Sequence, residues 1–420
     1  MTNDTPPSRP VVSYSELARL FLRLSITAFG GPVAHIAIAE DEIVKRRGWL
    51  TREHYLDLVA ATNLIPGPNS TEVMIHVGYI MRGIPGAIVA GVCFIGPAFL
   101  LTLALAVLYV SSGTIPQVDA ALRGIQPVIV AIIASVGYRL VRAALTNTIL
   151  WLLFALSVAA IVVLHIPEVI VMLSSGALYG LYQVRSPQKT ALPIILALRS
   201  GVEWGKTALS DVVGARHALP LHRLEAVWGV LAAASAVSPL DLFLYFLKIG
   251  SVLFGSGYVL IAYIQQDVVD TFGWLTTRQL LDAVAIGQLT PGPVSTTTAV
   301  VGYIVAGLPG ALASTFGIFL PSFILVILTA PLIPKMRNNR FLGAFLTGIN
   351  AGVIAAIGVV LVDLANAAFH VPGSASLSLL PILLAVVALV LLVRYKVNAT
   401  WLIFGGAVIG LLASSIVGQF

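Results

Sequence analysis

Charge is what this sequence lacks. Only 10% of its 420 residues are Asp, Glu, Lys or Arg, against 58% that are apolar, and the mean hydropathy is +0.97. A soluble domain carries ~25% charged residues, so no water-facing surface can be assembled here. Soluble enzymes, nucleic-acid binders, secreted scaffolds and disordered tails are excluded. Cysteine is nearly absent as well. Cys93 stands alone in an apolar run, so no internal disulfide forms and the redox compartment is not readable. No His/Cys/Asp cluster has metal-ligand spacing, and no Gly-rich phosphate loop of the ATPase kind occurs. No metal, cofactor or ATP hydrolysis is expected. Residues 1–13 are polar, with paired prolines and no apolar core, and do not read as a cleavable signal peptide.

What is present is a succession of apolar runs long enough to cross a bilayer. The expected fold is an all-α integral membrane protein in a lipid bilayer, with about nine to thirteen transmembrane or re-entrant helical segments. The net charge of +6 then follows from cytoplasmic loops that collect Lys and Arg, with no nucleic acid involved.

The chain also repeats itself. Phe29-Gly30, Gly48-Trp49-Leu50-Thr51, Leu56-Asp57 and Pro66-Gly67-Pro68 return as Phe254-Gly255, Gly273-Trp274-Leu275-Thr276, Leu281-Asp282 and Pro291-Gly292-Pro293, at a constant offset of 225 residues. After a one-residue gap the offset is 224, carrying Gly78-Tyr79 onto Gly302-Tyr303, Gly83 onto Gly307 and Pro97 onto Pro321. The predicted division is a polar tail at 1–13, a first repeat at 14–182, a basic linker at 183–223, and a connecting span plus second repeat at 224–420. The loop 40–55 holds Lys45, Arg46, Arg47 and Arg52, which places it in the cytoplasm. Its counterpart 265–282 sets Arg278 against Asp267, Asp270 and Asp282, which places it outside. Equivalent loops on opposite faces predict inverted topology. Continuous spans are expected near 86–110, 124–141, 148–165 and 167–182, then a connecting span near 224–239, then 308–330, 341–362, 376–393 and 398–418. The segments before Gly83 and Gly307 must make an even number of crossings. Re-entrant hairpins and paired spans both satisfy that.

Each repeat carries two breaks: Phe29-Gly30-Gly31-Pro32 with Pro66-Gly67-Pro68, and Phe254-Gly255-Ser256-Gly257 with Pro291-Gly292-Pro293. Proline has no N–H and clashes with the preceding turn, so Pro-Gly-Pro interrupts a helix. Unwound backbone at membrane depth survives only inside protein or beside a wet cavity. Asn69-Ser70-Thr71-Glu72 and Ser295-Thr296-Thr297-Thr298 follow the two motifs and read as N-caps and first turns of new half-helices. Such N-termini offer N–H donors and partial positive charge to an oxyanion. The alternative is a loop outside the membrane with Ser and Thr capping ordinary spans. Arg23 and Lys248 occupy equivalent positions within apolar runs. Brought together, they would favour a doubly charged anion; singly, they would snorkel or pair with an internal carboxylate. Coupling candidates are Glu72 and His76, four apart on one helix face, with His35 and the equivalent pair Asp57 and Asp282. His35 also reads as a satisfied buried histidine, and Asp57 and Asp282 as helix N-terminal charges at the interface.

The run Phe29-Gly30-Gly31-Pro32-Val33-Ala34-His35-Ile36, then Gly48-Trp49-Leu50, then Leu64-Ile65-Pro66-Gly67-Pro68-Asn69-Ser70-Thr71-Glu72, resembles the chromate ion transporter family in its two-domain long form. The resemblance covers Tyr14 to about Phe420. It implies chromate efflux across a bacterial inner membrane, chromate resistance, and sulfate as a competing tetrahedral dianion. The family often places Gln three residues before Pro-Gly-Pro. The second repeat keeps it as Gln288, the first has Asn63, and the second repeat lacks the Pro and His of the first break. The two halves are therefore expected to do unequal work. An anion channel, or an exchanger for sulfate or another oxyanion, is the competing reading. No enzyme is expected, because Ser70, His76 and Asp57 have no triad logic in their spacing. A homodimer is allowed, and the oligomeric state is not fixed.

Overall fold

The computed structural model describes residues 12–28, 31–112, 115–185, 237–255, 257–331, 339–370 and 378–417, and among them every regular element is helical. The first copy runs α1 (Tyr14–Thr27), α2 (Gly31–Glu40), a π-helical turn (Asp41–Arg46), α3 (Arg52–Thr62), α4 (Asn69–Ser111), α5 (Pro116–Ala144), α6 (Thr148–Val162) and α7 (Glu168–Arg185). The second runs α8 (Pro239–Val252), α9 (Val259–Tyr263), a second π-helical turn (Ile264–Thr271), α10 (Thr277–Leu289), a 3-10 turn (Val294–Thr296), α11 (Thr297–Thr329), α12 (Arg340–Phe369), α13 (Leu379–Arg394) and α14 (Ala399–Val417). Among the described residues, four stretches are long and apolar enough to cross a membrane: Asn69–Ser111, Pro116–Ala144, Val294–Thr329 and Arg340–Phe369. The chain is an all-α membrane protein.

Local chemistry sets these boundaries, and it does so twice. Thr51 and Thr276 are both extended N-caps whose side chains accept from His54 N and Gln279 N, satisfying orphan donors of the first turn. Before each cap the chain unwinds in the same way. Arg47 N donates to Glu42 O and Trp49 N to Ile43 O, as Phe272 N does to Asp267 O and Trp274 N to Val268 O. Inside α4, Arg82 (φ −143°) and Gly83 (φ 65°) leave the helix; inside α11, Ala306 (φ −141°) and Gly307 (φ 61°) repeat those values. Only glycine adopts that positive φ without strain. The turn folds the chain back so tightly that a Cβ on Gly78 would strike Gly86 O, and one on Gly302 would strike Gly310 O. In a straight helix those residues would be about 12 Å apart. α4 is therefore a short arm, 69–81, and a long arm, 84–111.

The expected spans match α4's long arm, α6, α7, the long arm of α11, α13 and α14 to within a few residues. α5 starts eight residues earlier than expected, at Pro116, and α12 runs on to Phe369. One boundary is corrected. Ser238 is extended (φ −75°, ψ 145°) and caps α8 through a capping box with Asp241, so no helix continues through to 239. The rest of the connecting span, and the linker beyond Arg185, lie outside the described residues. Among the described residues, no helix that precedes Gly83 in the first copy, or Gly307 in the second, is longer than 14 residues, about 21 Å against a hydrocarbon core of ~30 Å.

α4 and α11 pack on each other at the centre, with α1 laid on α4 and α8 on α11. α12 lies against α5, α6 and α7, and both α13 and α14 lie against α5. Phe21, Met74 and Phe94 are fully buried in one copy, as are Phe246, Ile249 and Ile318 in the other. Leu100, Phe316 and Trp401 are exposed on the outside, as a lipid solvent permits.

Candidate functional site

The two Pro-Gly-Pro motifs are stitched across the repeats. Gly67 N–H donates to Leu253 O at 2.7 Å, and Gly292 N–H donates to Ala28 O at 3.3 Å. Ala28 and Leu253 are equivalent residues, each just ahead of its copy's first break. The contact is thus exchanged reciprocally, and all four interruptions meet at one crossover. Gly67 (φ +149°) also faces Ser322 and the Glu72 carboxylate, and Gly292 (φ +102°) faces Ala98, the equivalent of Ser322. Either glycine lets a neighbouring side chain stand closer than a Cβ would allow.

Polar groups line this crossover unequally. In the first copy His35 is 1% exposed. Its Nε2 lies 3.0 Å from Ala28 O and its Nδ1 lies 3.3 Å from Ser70 Oγ. The carbonyl can only accept, which assigns a proton to Nε2, and in the neutral tautomer this sets, Nδ1 accepts from Ser70. It is the satisfied histidine expected as one alternative. Ser70 pairs with His35 and forms no triad with His76. Asn63 and Asn69 clasp the loop: Thr62 Oγ1 donates to Asn69 Oδ1 at 2.5 Å, Asn69 Nδ2 donates to Asn63 Oδ1, and Asn63 Nδ2 donates to Val59 O at 3.1 Å. In the second copy Gln288 reaches further and donates to Tyr258 Oη at 2.9 Å. That hydroxyl lies 3.6 Å from the point where a Cβ on Gly31 would stand. Thr102 Oγ1, from α4's long arm, sits 3.1 Å from Thr290 Oγ1 and 3.4 Å from Thr296 Oγ1.

Several buried side-chain atoms here make no well-formed hydrogen bond: Ser25 Oγ, Thr71 Oγ1, both oxygens of Glu72, His76 Nδ1, Ser295 Oγ, Thr297 Oγ1 and Ser322 Oγ, with Ser322 and the Glu72 carboxyl facing each other beside Gly67. Buried polar groups are satisfied in the great majority of cases, so this concentration marks the crossover. Five are hydroxyls, which donate to an anion without adding charge. Gly257 backs onto Ser295 and Val294. Pro66, Pro68, Pro291 and Pro293 hold the two loops open, since none can donate to a helix. Gly30 and Ser256 lie outside the described residues.

Four expectations change. Ser70 and Thr71 lie in the first turn of α4 and Ser295 just ahead of α11, and none of the three is a cap; only Thr296 holds a cap position. Pro68 is the N-cap of α4 and Thr296 that of α11, both without a side-chain cap bond. Instead, Thr296 Oγ1 turns back to Pro293 O at 2.8 Å. Arg23 and Lys248 are not bare cations. Arg23 NH1 lies 3.6 Å from Glu42 and Lys248 Nζ lies 3.8 Å from Asp267, with the cations 58% and 63% exposed. Glu42 and Asp267 are equivalent residues on the two π-helical turns, so each copy brings a carboxylate to its own cation, Glu42 sharing its carboxylate with Arg46 and Arg47. Asp282 is no helix N-terminal charge. It sits mid-α10, 5% exposed, and accepts from Tyr109 at 2.9 Å and Gln126 at 2.8 Å. Asp57, at the equivalent place in α3, is half-buried and also stands well inside its helix. Tyr258, Ser322, Thr102, Thr290, Tyr109 and Gln126 were not found from the sequence. Only Ser322 had a usable signal, as the residue following the repeated Pro97/Pro321 position.

Because the Arg23 and Lys248 side chains are more than half exposed and stand 3.6 and 3.8 Å from their carboxylates, each contact is worth about 1 kcal/mol or less, and Arg23→Gln is expected to lower anion flux less than about fivefold. A vesicle flux assay checks this, and complete loss would return Arg23 to the anion's path.

Comparison with known proteins agrees with this architecture. The chromate transporter family model matches residues 15–181 and 240–411, one match in each copy. The chain is 31% identical over 407 residues to the chromate transport protein of Cupriavidus metallidurans, covering 96% of this chain and 94% of that protein. It is 32% identical over 358 residues to the chromate transport protein of Pseudomonas aeruginosa, covering 85% and 82%. A probable chromate transport protein of Synechococcus elongatus is 31% identical over 365 residues, covering 86% and 87%. No solved structure matches. With both copies matched and the similarity running nearly end to end, the chain belongs to the chromate transporter family.

Proposed function

We propose that the protein is a secondary transporter that exports chromate, a tetrahedral dianion, across the bacterial inner membrane and so confers chromate resistance. Sulfate competes as a dianion of similar shape. The observation that carries this reading is the crossover itself, where unpartnered buried hydroxyls from both copies surround two interrupted helices. Such a site suits an oxyanion through neutral donors and half-helix N-termini. The copies are related by inverted topology, and the half-length helices ahead of Gly83 and Gly307 form re-entrant hairpins. Alternating access follows by rocking one copy against the other about the crossover, with the reciprocal glycine contacts as the pivot. Export needs no further energy source, because the membrane potential contributes ~2.3 kcal/mol per charge per 100 mV to an outgoing anion.

Glu72 is the coupling group. It is 0% exposed, faces Gly67, and has Thr297 as its counterpart, so one copy alone carries an acid here. The test is chromate uptake into proteoliposomes of purified protein, with sulfate as competitor and with imposed pH gradients. Saturable flux that sulfate inhibits is expected, and a pH gradient should alter it in wild type but not in Glu72→Gln. Flux with high unitary conductance and no counterflow would favour a channel. No chromate flux at either polarity of potential would mean that another anion is carried.

A further inference from the structure

We infer a second ligand site, for a primary ammonium group, in an acidic cavity of about 830 Å³ between α6, α7, the second π-helical turn and α12. Its wall carries three carboxylates, Glu168, Asp270 and Asp363, and the amides of Gln265 and Gln266. No Lys or Arg lines it; His165, in the α6–α7 turn at φ 52°, is the one lining residue able to become cationic.

The open valences on this wall are acceptors. Glu168 is 6% exposed, and its Oε2 has no hydrogen-bond partner. Gln265 is 4% exposed, and its Oε1 has none either. The Gln265 amide nitrogen is already committed, to Asp270 Oδ1 at 2.8 Å and Thr277 Oγ1 at 3.2 Å, which leaves its oxygen as the group to be satisfied. Gln266 Oε1 accepts from Glu168 N at 3.4 Å and so fixes the start of α7 beside the cavity. A buried carboxyl oxygen and a buried amide oxygen that no donor reaches are both costly, and N–H donors on a cation relieve both together.

The ligand is not a bare metal ion. Among the described residues no three His, Cys, Asp or Glu side chains come close enough to hold one. A cation that bridges separated acceptors must bring its own donors, and a primary ammonium has three. The apolar side of α6 completes the wall, giving the carbon body of such a ligand a place to lie. Nor is the acidity inherited from the duplication. The residues equivalent to Asp270 and Asp363 are Lys45 and Arg139, so this charge arose in one copy alone. Its sign repels a dianion, which separates the site from the crossover.

A primary ammonium comes either from an aminophospholipid headgroup or from a free amine, and the test separates them. Purified protein is placed in nanodiscs of phosphatidylcholine, of phosphatidylcholine with phosphatidylethanolamine, or of phosphatidylcholine with putrescine or choline added. The thermal unfolding midpoint is followed in each. A rise of several degrees with either ammonium source, absent with choline, is expected. Glu168→Gln, which keeps the side-chain shape, and Asp363→Asn should each raise the half-saturating concentration about tenfold, as loss of a charge-assisted hydrogen bond does. A rise with phosphatidylethanolamine alone assigns the lipid; a rise with putrescine assigns the solute. No rise in either arm, an equal rise with choline, or a rise unchanged in both variants overturns the site. Chromate flux is read separately, so its absence does not bear on the outcome.

Discussion

Gly67→Ala and Gly292→Ala are each expected to reduce anion flux to background. Two effects add at these positions. Both glycines hold positive φ, +149° and +102°, which costs an alanine ~1–3 kcal/mol. Both also lack room. A Cβ on Gly67 would stand 2.6 Å from Ser322 Oγ, and one on Gly292 would stand 2.5 Å from Ala98 Cβ, and overpacking adds ~1–3 kcal/mol. At Gly292 the clash is with Ala98 of the opposite copy, which has no rotamer to yield, so relief comes by separating the copies at the Gly292–Ala28 hydrogen bond; at Gly67 the Cβ meets Glu72 of its own copy as well as Ser322 of the other, and both buried side chains must turn away. Gly83 provides the control, with φ +65° and nothing within 4 Å of its missing Cβ. Gly83→Asn keeps a residue that tolerates left-handed backbone, so flux should stay within about threefold of wild type. Flux and unfolding midpoint measured together decide the matter. Wild-type flux in Gly292→Ala would show that the crossover yields without cost.

Asp282→Ala is expected to give the largest loss of stability, ~3–5 kcal/mol. The carboxylate belongs to the second copy, and its donors, Tyr109 on α4 and Gln126 on α5, belong to the first. Removing it leaves the two donors without an acceptor where Gln126 is itself only 3% exposed. Asp282→Asn retains one acceptor oxygen and should cost about half as much. Asp57→Ala should cost less than either, because Asp57 is half-buried and its desolvation is incomplete. Denaturant titration of the three variants in detergent gives the order. Equal losses at Asp57 and Asp282 would mean that burial is not what sets them apart.

Much of this architecture was legible from residue order. The constant 225-residue offset implied duplicate structures, and Gly48/Gly273, Thr51/Thr276 and Gly83/Gly307 each adopt matching geometry. Pro-Gly-Pro implied interruption, because a missing N–H is a local fact. The partners were not legible. Arg23 and Lys248 read as cations that would either meet around an anion or pair with some internal carboxylate, and residue order did not say that Glu42 and Asp267 are the ones brought back to them by the π-helical turns. Asp282 read as an interfacial charge because its donors lie more than 150 positions away in the chain.

The division follows from the range of the forces. Hydropathy, helix interruption and the duplicated pattern depend on each residue and its near neighbours, so the sequence alone determined an all-α membrane protein with two copies and two breaks in each. Which groups are satisfied depends on what folding carries into contact across hundreds of positions. Only the tertiary structure could decide that each Pro-Gly-Pro bonds to the other copy. The same holds for Gln288 reaching Tyr258 where Asn63 clasps its own loop, and for the acids of one copy enclosing a cavity.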